Sequence, residues 1–205
     1  MPVILSVDAN APQASVIAKA AAIVREGGLV AFPTETVYGL AANAAQPSAI
    51  ERLNRVKGRP PEKPYSMHLY EPAQAREFVG VVSPLAQQLM ARFWPGPLTI
   101  VMAAKDQTTV GFRCPDHRVA QAFLKACACP VVAPSANRSG FPPPTDSAEV
   151  IAALGGQFDA LLEAGPTPLG RESTVVSVVG DRLAVLREGA IAAATIYAAL
   201  AARES

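Results

Sequence analysis

Short apolar runs that lead into compact polar clusters recur along the chain. Residues 28–32 are continuously apolar, which predicts a strand buried on both faces, because a half-exposed strand would alternate. Pro33 then blocks the sheet ladder, and Thr34, Glu35 and Thr36 follow at once. Four later segments have the same form. Open α/β sheets place ligands at such strand ends, so the repetition favours a binding site over an ordinary polar turn.

The same hydrophobic periodicity divides the rest of the chain into helices and strands. Helical spacing predicts helices over residues 12–26, 47–56, 84–93, 118–126, 148–154 and 191–202. Asp116 and Asp146 are expected to cap the helices that follow them. Apolar runs predict strands over residues 3–7, 28–32, 65–70, 98–103, 109–115, 130–134, 159–163, 175–179 and 183–187. Gly180 and Asp181 form a hairpin signal, so the prediction is an α/β fold with a mixed, parallel and antiparallel sheet.

The composition fits one folded domain, which we place over residues 1–205. Hydrophobic residues make up 50% of the chain and charged residues 17%, which is enough to bury a sizeable core. The 19 prolines and 14 glycines are spread between the apolar segments and indicate defined turns rather than disorder. The net charge of +1 excludes a strong attraction of the whole chain to nucleic acid but allows a local basic patch.

The cysteines and the lengths of the apolar runs bear on the compartment. Cys114, Cys127 and Cys129 are odd in number, and their spacing fits neither a disulfide framework nor a zinc site. This pattern predicts reduced thiols in a cytosolic protein. The first residues lack the basic and apolar regions of a signal peptide, and no apolar run approaches the roughly 20 residues of a membrane span. We therefore expect a cytoplasmic protein that is not anchored in a membrane.

A stiff basic loop follows the second predicted helix. Lys57, Arg59 and Lys63 lie within seven residues, on a backbone restricted by three prolines. Fixed lysine and arginine side chains suit phosphate groups, although a solvated basic loop would have the same charges. His68 lies in the strand that follows. A lone histidine in a strand is more often structural, but at neutral pH it could also serve as a hydrogen-bond donor or change its charge.

Two later segments offer anion-binding groups. Arg113 ends a predicted strand, where its guanidinium can hold a carboxylate through two parallel hydrogen bonds. Ser135, Asn137 and Ser139 precede Gly140 and can form a cradle for phosphate or hydroxyl groups. The same residues also fit a plain turn without a ligand.

The sequence lacks the standard catalytic motifs. His68 and His117 are not accompanied by a Gly-x-Ser-x-Gly elbow, and neither a Gly-x-x-x-x-Gly-Lys-Ser/Thr loop nor a Gly-x-Gly-x-x-Gly fingerprint is present. The chain offers cations and hydroxyl groups instead, which suit a site that holds anions close together and stabilises shifting charge. These residues are Lys57, Arg59, Lys63, Arg113, Arg187, Thr34, Thr36, Ser135, Ser173 and Thr174.

Several of these segments together resemble the YrdC-like family, over residues 27–189. The matching segments are PTETVYGL (33–40), KGRP (57–60), RCP with His117 (113–117), PSANRSG (134–140), STVV (173–176) and LREG (186–189). Their order makes the resemblance specific. The pair Lys57-x-Arg59 and Ser135-x-Asn137 is similar to the threonylcarbamoyl-AMP synthase branch of that family. The end of the chain just after its terminal helix resembles the short, single-domain form.

The resemblance implies a twisted α/β fold around a concave, basic cavity, and a nucleotidyltransferase reaction. L-threonine, bicarbonate and ATP would give threonylcarbamoyl-adenylate and pyrophosphate, the first step toward N6-threonylcarbamoyladenosine (t6A) at position 37 of tRNA. Partner transferase machinery would pass the product to tRNA. Mg²⁺ is expected with the triphosphate rather than on a set of protein ligands.

The resemblance also implies roles for individual residues. Catalytic residues would be Lys57, Arg59, Ser135 and Asn137. The nucleotide would be held by Arg59, Lys63, Thr109, Ser135, Asn137 and Arg187. L-threonine would be held by Thr34, Thr36, His68, Arg113 and Ser173, with Arg113 on the carboxylate. Lys63 departs from relatives that often carry Asn, and Pro143 from relatives that often carry Ser.

Two alternatives remain open from the sequence. One is a binding module of the same fold that holds RNA or a nucleotide without turnover, although the small net charge argues against RNA affinity as the main activity. The other is a paralogue with a different carbamoyl acceptor. The sequence does not predict the oligomeric state.

Overall fold

A computed structural model describes residues 1–106, 108–180 and 182–201. Its strands are β1 (Val3–Ser6), β2 (Val30–Phe32), β3 (Gly39–Asn43), β4 (Met67–His68), β5 (Leu98–Ala103), β6 (Thr109–Arg113), β7 (Val131–Val132), β8 (Ala160–Glu163), β9 (Thr174–Val179) and β10 (Arg182–Arg187). The helices are α1 (Ala14–Arg25), α2 (Pro47–Lys57), α3 (Ala75–Phe78), α4 (Pro84–Phe93), α5 (Arg118–Cys127), α6 (Ser147–Leu154) and α7 (Ala193–Ala201). A short 3₁₀ helix over Pro72–Gln74 precedes α3.

The strands form one sheet in the order β1-β8-β2-β3-β7-β4-β6-β5-β9-β10. Parallel pairs are β1 with β8, β8 with β2, β4 with β6, and β5 with β9. The remaining neighbours are antiparallel, including the predicted hairpin of β9 and β10. This order confirms the predicted α/β class with a mixed sheet. Asp181 of the hairpin signal lies outside the described residues.

Strand β2 is buried on both faces, as its continuous apolar run predicts. Leu29 and Ala31 belong to a core cluster on one face of the sheet, and Val30 and Phe32 belong to a second cluster on the other. Helices α1 and α5 pack on the second cluster, whereas α2, α4, α6 and α7 contribute to the first. Burying one such large side chain contributes roughly 2 kcal/mol, so both layers hold the sheet.

Some element boundaries differ from the predictions for local reasons. Strand β7 has two residues, because Pro130 and Pro134 lack the N–H that a longer ladder needs, and its partner β4 has two residues as well. Helix α1 begins at Ala14, after Gln13. The predicted Asp146 cap is confirmed by its hydrogen bond from the Glu149 backbone N–H at 2.8 Å.

The predicted Asp116 cap is wrong. His117 occupies the N-cap position of α5, and no side chain caps that helix. Strand β3 was not predicted from the sequence, because its Gly-Leu-Ala-Ala-Asn sequence lacks the β-branched and aromatic residues typical of strands. Its pairing with β2 and β7 nevertheless buries every residue of the strand.

The three cysteines are free thiols, as predicted. Within the described ranges, none of the helices combines the length and the apolarity that crossing a bilayer requires.

Candidate functional site

A cavity of about 600 Å³ opens where β4, β6 and β7 meet the loops after α2 and before β9. In the part of the chain that the structure describes, the only carboxylate lining it is that of Glu172. Cations outnumber it, so the wall has an excess of positive charge suited to anionic ligands. The cationic side chains are those of Lys57, Arg59, Lys63, Arg113 and Arg187.

Lys57 joins helix α2 to the loop after β7. Its Nζ donates hydrogen bonds to the carbonyl oxygens of Ser135 (2.5 Å) and Asn137 (2.6 Å). The Ser139 backbone N–H returns a bond to the Lys57 carbonyl at 2.8 Å. Burial, followed by the charge of Arg59, lowers the pKa of Lys57 to about 8, while Glu172 acts in the opposite direction. The ammonium group is therefore fixed in place beside the cavity.

Arg59 is held by its own loop and by an aromatic ring. Its Nη2 donates to the Pro64 carbonyl at 2.8 Å, and its Nε donates to the Lys63 carbonyl at 3.3 Å. The guanidinium carbon lies 4.8 Å from the centroid of the Tyr65 ring, within the range of a cation–π contact. The Tyr65 hydroxyl in turn donates to Asn54 Oδ1 at 2.7 Å. Arg59 is thus positioned before any ligand arrives.

The loop after β7 is closed by the Asn137 side chain. Its Nδ2 donates to the carbonyls of Phe141 (2.6 Å) and Arg138 (3.1 Å). Its Oδ1 is buried and has no hydrogen-bond partner. A buried, unpartnered acceptor costs free energy, so this oxygen is the unsatisfied polar atom of the loop. The predicted cradle is therefore a fixed loop with one unused polar atom.

Arg113 lies at the end of β6 and is buried against the first polar turn. Its Nη2 donates to Thr36 Oγ1 at 2.7 Å and, more weakly, to Thr34 Oγ1 at 3.5 Å. The same nitrogen lies 2.9 Å from Glu35 Oε1. Both carboxylate oxygens of Glu35 are buried without a hydrogen bond, so the contact with Arg113 is an ion pair.

The other two nitrogens of Arg113 have no hydrogen-bond partner among the described residues. Nε is buried without a partner. Nη1 has no hydrogen-bond partner among the described residues either, and it is not fully buried. Because Arg113 lines the cavity, the edge that Nη1 presents is open to it.

The two histidines differ in position. His68 lines the cavity, and its Nδ1 lies 3.4 Å from the Ser66 carbonyl. Burial, followed by the charge of Arg113, lowers the pKa of His68 to about 3. The imidazole is therefore neutral, and the expectation that it changes charge near neutral pH is wrong. His117, at the start of α5, is not one of the residues that line the cavity.

The far wall is built by β9 and the turn after β10. Ser173 Oγ shares a 2.8 Å hydrogen bond with Thr99 Oγ1. Arg187 donates to Glu172 Oε1 at 3.0 Å and to the Ser173 carbonyl at 2.9 Å. Gly189 packs so closely that an added Cβ would lie 2.3 Å from the Glu172 carbonyl oxygen. Only glycine fits there, and this close packing keeps Arg187 against the segment that carries Ser173.

The structure brings most of the predicted site residues together. The cavity lining includes Lys57, Arg59, Lys63, His68, Arg113, Ser135, Asn137, Ser173 and Arg187. Thr34 and Thr36 are buried and contact Arg113, without lining the cavity. Thr109 is not brought to the site. It is exposed at the start of β6, about 13 Å along the strand from Arg113.

Sequence reasoning missed other lining residues, among them Tyr65, Thr99, Phe141 and Glu172. Tyr65 directly follows the basic loop, and Glu172 directly precedes Ser173, so adjacency to a predicted segment was the available signal. Within the described residues, no group of three or more His, Cys, Asp or Glu side chains is placed to hold a metal ion.

Comparison with known proteins places this geometry in a family. Residues 22–189 match the family model of the Sua5, YciO and YrdC proteins, which is described as telomere recombination. This chain belongs to the Sua5/YciO/YrdC family. The resemblance predicted from its sequence motifs is therefore confirmed.

Relatives within the Sua5/YciO/YrdC family include named enzymes. The chain is 41% identical over 201 residues to the threonylcarbamoyl-AMP synthase of Bacillus subtilis, an alignment that covers 93% of this chain and 57% of the relative. The chain spans about half the length of the first curated relatives that it matches.

Solved structures of the family share the fold. The crystal structure of P. abyssi Sua5 complexed with L-threonine matches with a TM-score of 0.91 and 35% identity, over 97% of this chain and 61% of that chain. The crystal structure of E. coli YciO matches with a TM-score of 0.83 and 27% identity, over 92% of this chain and 96% of that chain.

Proposed function

We propose that this chain makes L-threonylcarbamoyladenylate and pyrophosphate from L-threonine, bicarbonate and ATP, as the first step toward t6A at position 37 of tRNA. The observation that carries the proposal is the convergence of five cationic side chains on one cavity of about 600 Å³. This volume lies in the range of small-molecule sites. The similarity to a named synthase and to a threonine-bound Sua5 structure supports the choice of substrates.

The reaction brings anions together and needs no covalent intermediate on the protein. The threonine amine forms a C–N bond with carbon dioxide in equilibrium with bicarbonate and loses a proton, which gives a carbamate. A carbamate oxygen then attacks the α-phosphorus of ATP, and the bond from that phosphorus to the bridging oxygen breaks. Pyrophosphate leaves with the electron pair. Fixed cations lower the repulsion between these anions, so positioning and electrostatics supply the catalysis.

The phosphates are assigned to the cationic side of the cavity. Arg59, Lys63 and Arg187 line it, together with the loop that carries Ser135 and Asn137. Lys57, already fixed by two carbonyl oxygens, neutralises phosphate charge without first having to be ordered. Thr109 has no part in this assignment, because it does not line the cavity.

Arg113 is assigned to the carboxylate of L-threonine. Its Nη2 is occupied by Thr36 and Glu35, while Nε and Nη1 have no partner. Nη1 can therefore donate a charge-assisted hydrogen bond to a carboxylate in the cavity. Thr34 and Thr36 would act through Arg113, by fixing its orientation.

Two uncharged groups are assigned to the rest of the L-threonine molecule. Ser173 lines the cavity beside Thr99. His68 is neutral, so its ring can accept a hydrogen bond from the amino acid without bringing a further charge. A neutral acceptor suits a threonine amine that has to lose protons before it reacts.

Mg²⁺ would enter with the nucleotide. The described residues present no ligand cluster for a resident ion, and Glu172 is already paired with Arg187. The adenylate would pass to separate transferase machinery that modifies tRNA, in the cytoplasm.

The proposal is tested by following the carbon atom. The protein is incubated with ATP, Mg²⁺, L-threonine and ¹³C-labelled bicarbonate, and the products are analysed by mass spectrometry. We expect an adenylate that is one mass unit heavier than the product from unlabelled bicarbonate, formed only when L-threonine is present. An adenylate without the label, or one formed without threonine, would contradict the proposed reaction.

A further inference from the structure

Two phenyl-type rings of the described chain line the cavity, and they differ in what covers them. The Tyr65 ring has the guanidinium of Arg59 over its face. Phe141 has no such partner, and 66% of its surface is exposed. A single exposed phenylalanine is common on protein surfaces. An exposed ring on the wall of a cationic cavity is a different case, because the rest of that wall is arranged for a charged ligand.

The backbone beneath Phe141 is fixed although its ring is exposed. The Phe141 carbonyl accepts the 2.6 Å hydrogen bond from Asn137 Nδ2, and its N–H donates to the Arg138 carbonyl at 3.1 Å. Three prolines follow, and the last of them, Pro144, accepts a 2.9 Å bond from the Tyr38 N–H. A mobile loop would present its ring in many directions, whereas this backbone presents it in few.

The same contacts place Phe141 close to the centre of positive charge. Asn137, which fixes the Phe141 carbonyl, gives its own carbonyl to Lys57 Nζ at 2.6 Å. One residue therefore separates the exposed ring from the buried ammonium group. Lys57 and Phe141 both line the cavity, so a ligand whose phosphates reach Lys57 has Phe141 within the same site.

We propose that Phe141 is the stacking platform for the base of the nucleotide, an assignment that rests on the proposed function. Every nucleobase has an apolar π-face, and stacking on an aromatic side chain covers both surfaces from water. The cations of the cavity would then hold the triphosphate while Phe141 holds the base. Because stacking is tolerant of base identity, Phe141 contributes affinity for nucleotides over phosphate chains, and not a choice among bases.

The test separates the base from the phosphates. Dissociation constants are measured by calorimetry for ATP and for inorganic triphosphate, with wild-type protein and the variants Phe141→Ala and Phe141→Trp. Tyr197→Ala is the matched control, because Tyr197 is a 51% exposed aromatic on α7 that does not line the cavity.

We expect Phe141→Ala to bind ATP about tenfold more weakly, as loss of one base–aromatic stack would cause. Its affinity for inorganic triphosphate should be unchanged, Phe141→Trp should bind ATP like wild type, and Tyr197→Ala should alter neither constant. Equal weakening for both ligands would indicate a structural role and overturn the assignment, as would unchanged ATP affinity in Phe141→Ala.

This test is distinct from that of the reaction. If the wild-type protein binds ATP through Phe141 but forms no threonine-dependent adenylate, the stacking role of Phe141 is supported and the proposed function is contradicted. If the wild-type protein makes the adenylate but Phe141→Ala binds ATP normally, the proposed function is supported and the stacking role of Phe141 is contradicted. A wild-type protein that binds no ATP would overturn both.

Discussion

Arg113 and Glu35 form an ion pair inside the protein, with Nη2 2.9 Å from Oε1 and side-chain exposures of 6% and 8%. Neither Glu35 oxygen has a hydrogen bond of acceptable angle, so Arg113 is the partner that compensates the carboxylate among the described residues. The pair and the Thr36 hydroxyl occupy Nη2, and Nη1 is left for a ligand. Glu35 therefore compensates the charge of Arg113 and helps to fix its orientation.

The first prediction concerns the stability of this pair. Glu35→Gln keeps the shape of the side chain but leaves the guanidinium of Arg113 buried without a counter-charge, so we expect the free energy of unfolding to fall by about 3 kcal/mol. Urea denaturation at pH 7 measures the change. The control is Glu172→Gln, whose ion pair with Arg187 has side-chain exposures of 37% and 45% and should contribute below about 1 kcal/mol. Equal losses in the two variants would refute the distinction between a buried and a solvated pair.

The second prediction concerns the pH dependence of nucleotide binding. The pKa of Lys57 is lowered from 10.5 to about 8, so the folded protein loses this positive charge above pH 8 rather than above pH 10.5. The affinity of the free protein for ATP should therefore fall as the pH rises through 8. We expect it to be about tenfold weaker at pH 9.5 than at pH 7.5.

Lys57→Met is the comparison for that titration. It removes the titrating group while keeping an unbranched side chain, so its ATP affinity should be low at pH 7.5 and nearly constant up to pH 9.5. Binding constants at five pH values decide the matter. A decline of the same size in the variant would show that another group is responsible.

The third prediction concerns Tyr65 as a positioning residue for Arg59. Tyr65→Leu removes the ring under the guanidinium, and a lost cation–π contact of about 1 kcal/mol corresponds to a rise of roughly fivefold in KM for ATP. KM for L-threonine should stay the same, because Arg113 is untouched. Tyr65→Phe keeps the ring and loses only the bond to Asn54, so most of the ATP affinity should return. Parallel increases in both KM values would indicate a general distortion of the site instead.

Local sequence signals predicted the bounds of some elements correctly. Helix α4 and strand β5 have the bounds that their apolar spacing predicts, because Pro84 and Pro95 flank the helix and Pro97 precedes the strand. Strand β3 was missed, because its burial comes from pairing with β2 and β7 and not from β-forming residues. Tertiary context overrides propensity in such a strand.

In the candidate site too, some features could be predicted from the sequence and others could not. Its cations were predictable from their position at strand and helix ends, and the structure brings them to one cavity. Their partners were not predictable, because Lys57 meets carbonyl oxygens about 80 residues away in the sequence and Arg113 meets Glu35 across the sheet. Thr109 was expected to hold the nucleotide but does not line the cavity, because β6 reaches the site at the end that carries Arg113.

The central claim, that a fixed Arg113 holds L-threonine for adenylate formation, is tested most directly by pyrophosphate release. Release from ATP is measured with and without L-threonine and bicarbonate, in wild type and in the double variant Arg113→Met with Glu35→Gln. The double variant removes both charges of the buried pair, so neither is left uncompensated and the fold is retained. ATP affinity serves as the check on folding.

We predict release that requires both co-substrates in wild type and falls about 100-fold in the double variant, since a lost charge-assisted hydrogen bond costs up to about 3 kcal/mol. ATP affinity should stay within about twofold, because the phosphate side of the cavity is unaltered. Release without threonine, or full release in the double variant, would contradict the assignment of the substrate to Arg113. ATP binding without any release would indicate a nucleotide-binding module instead of a synthase.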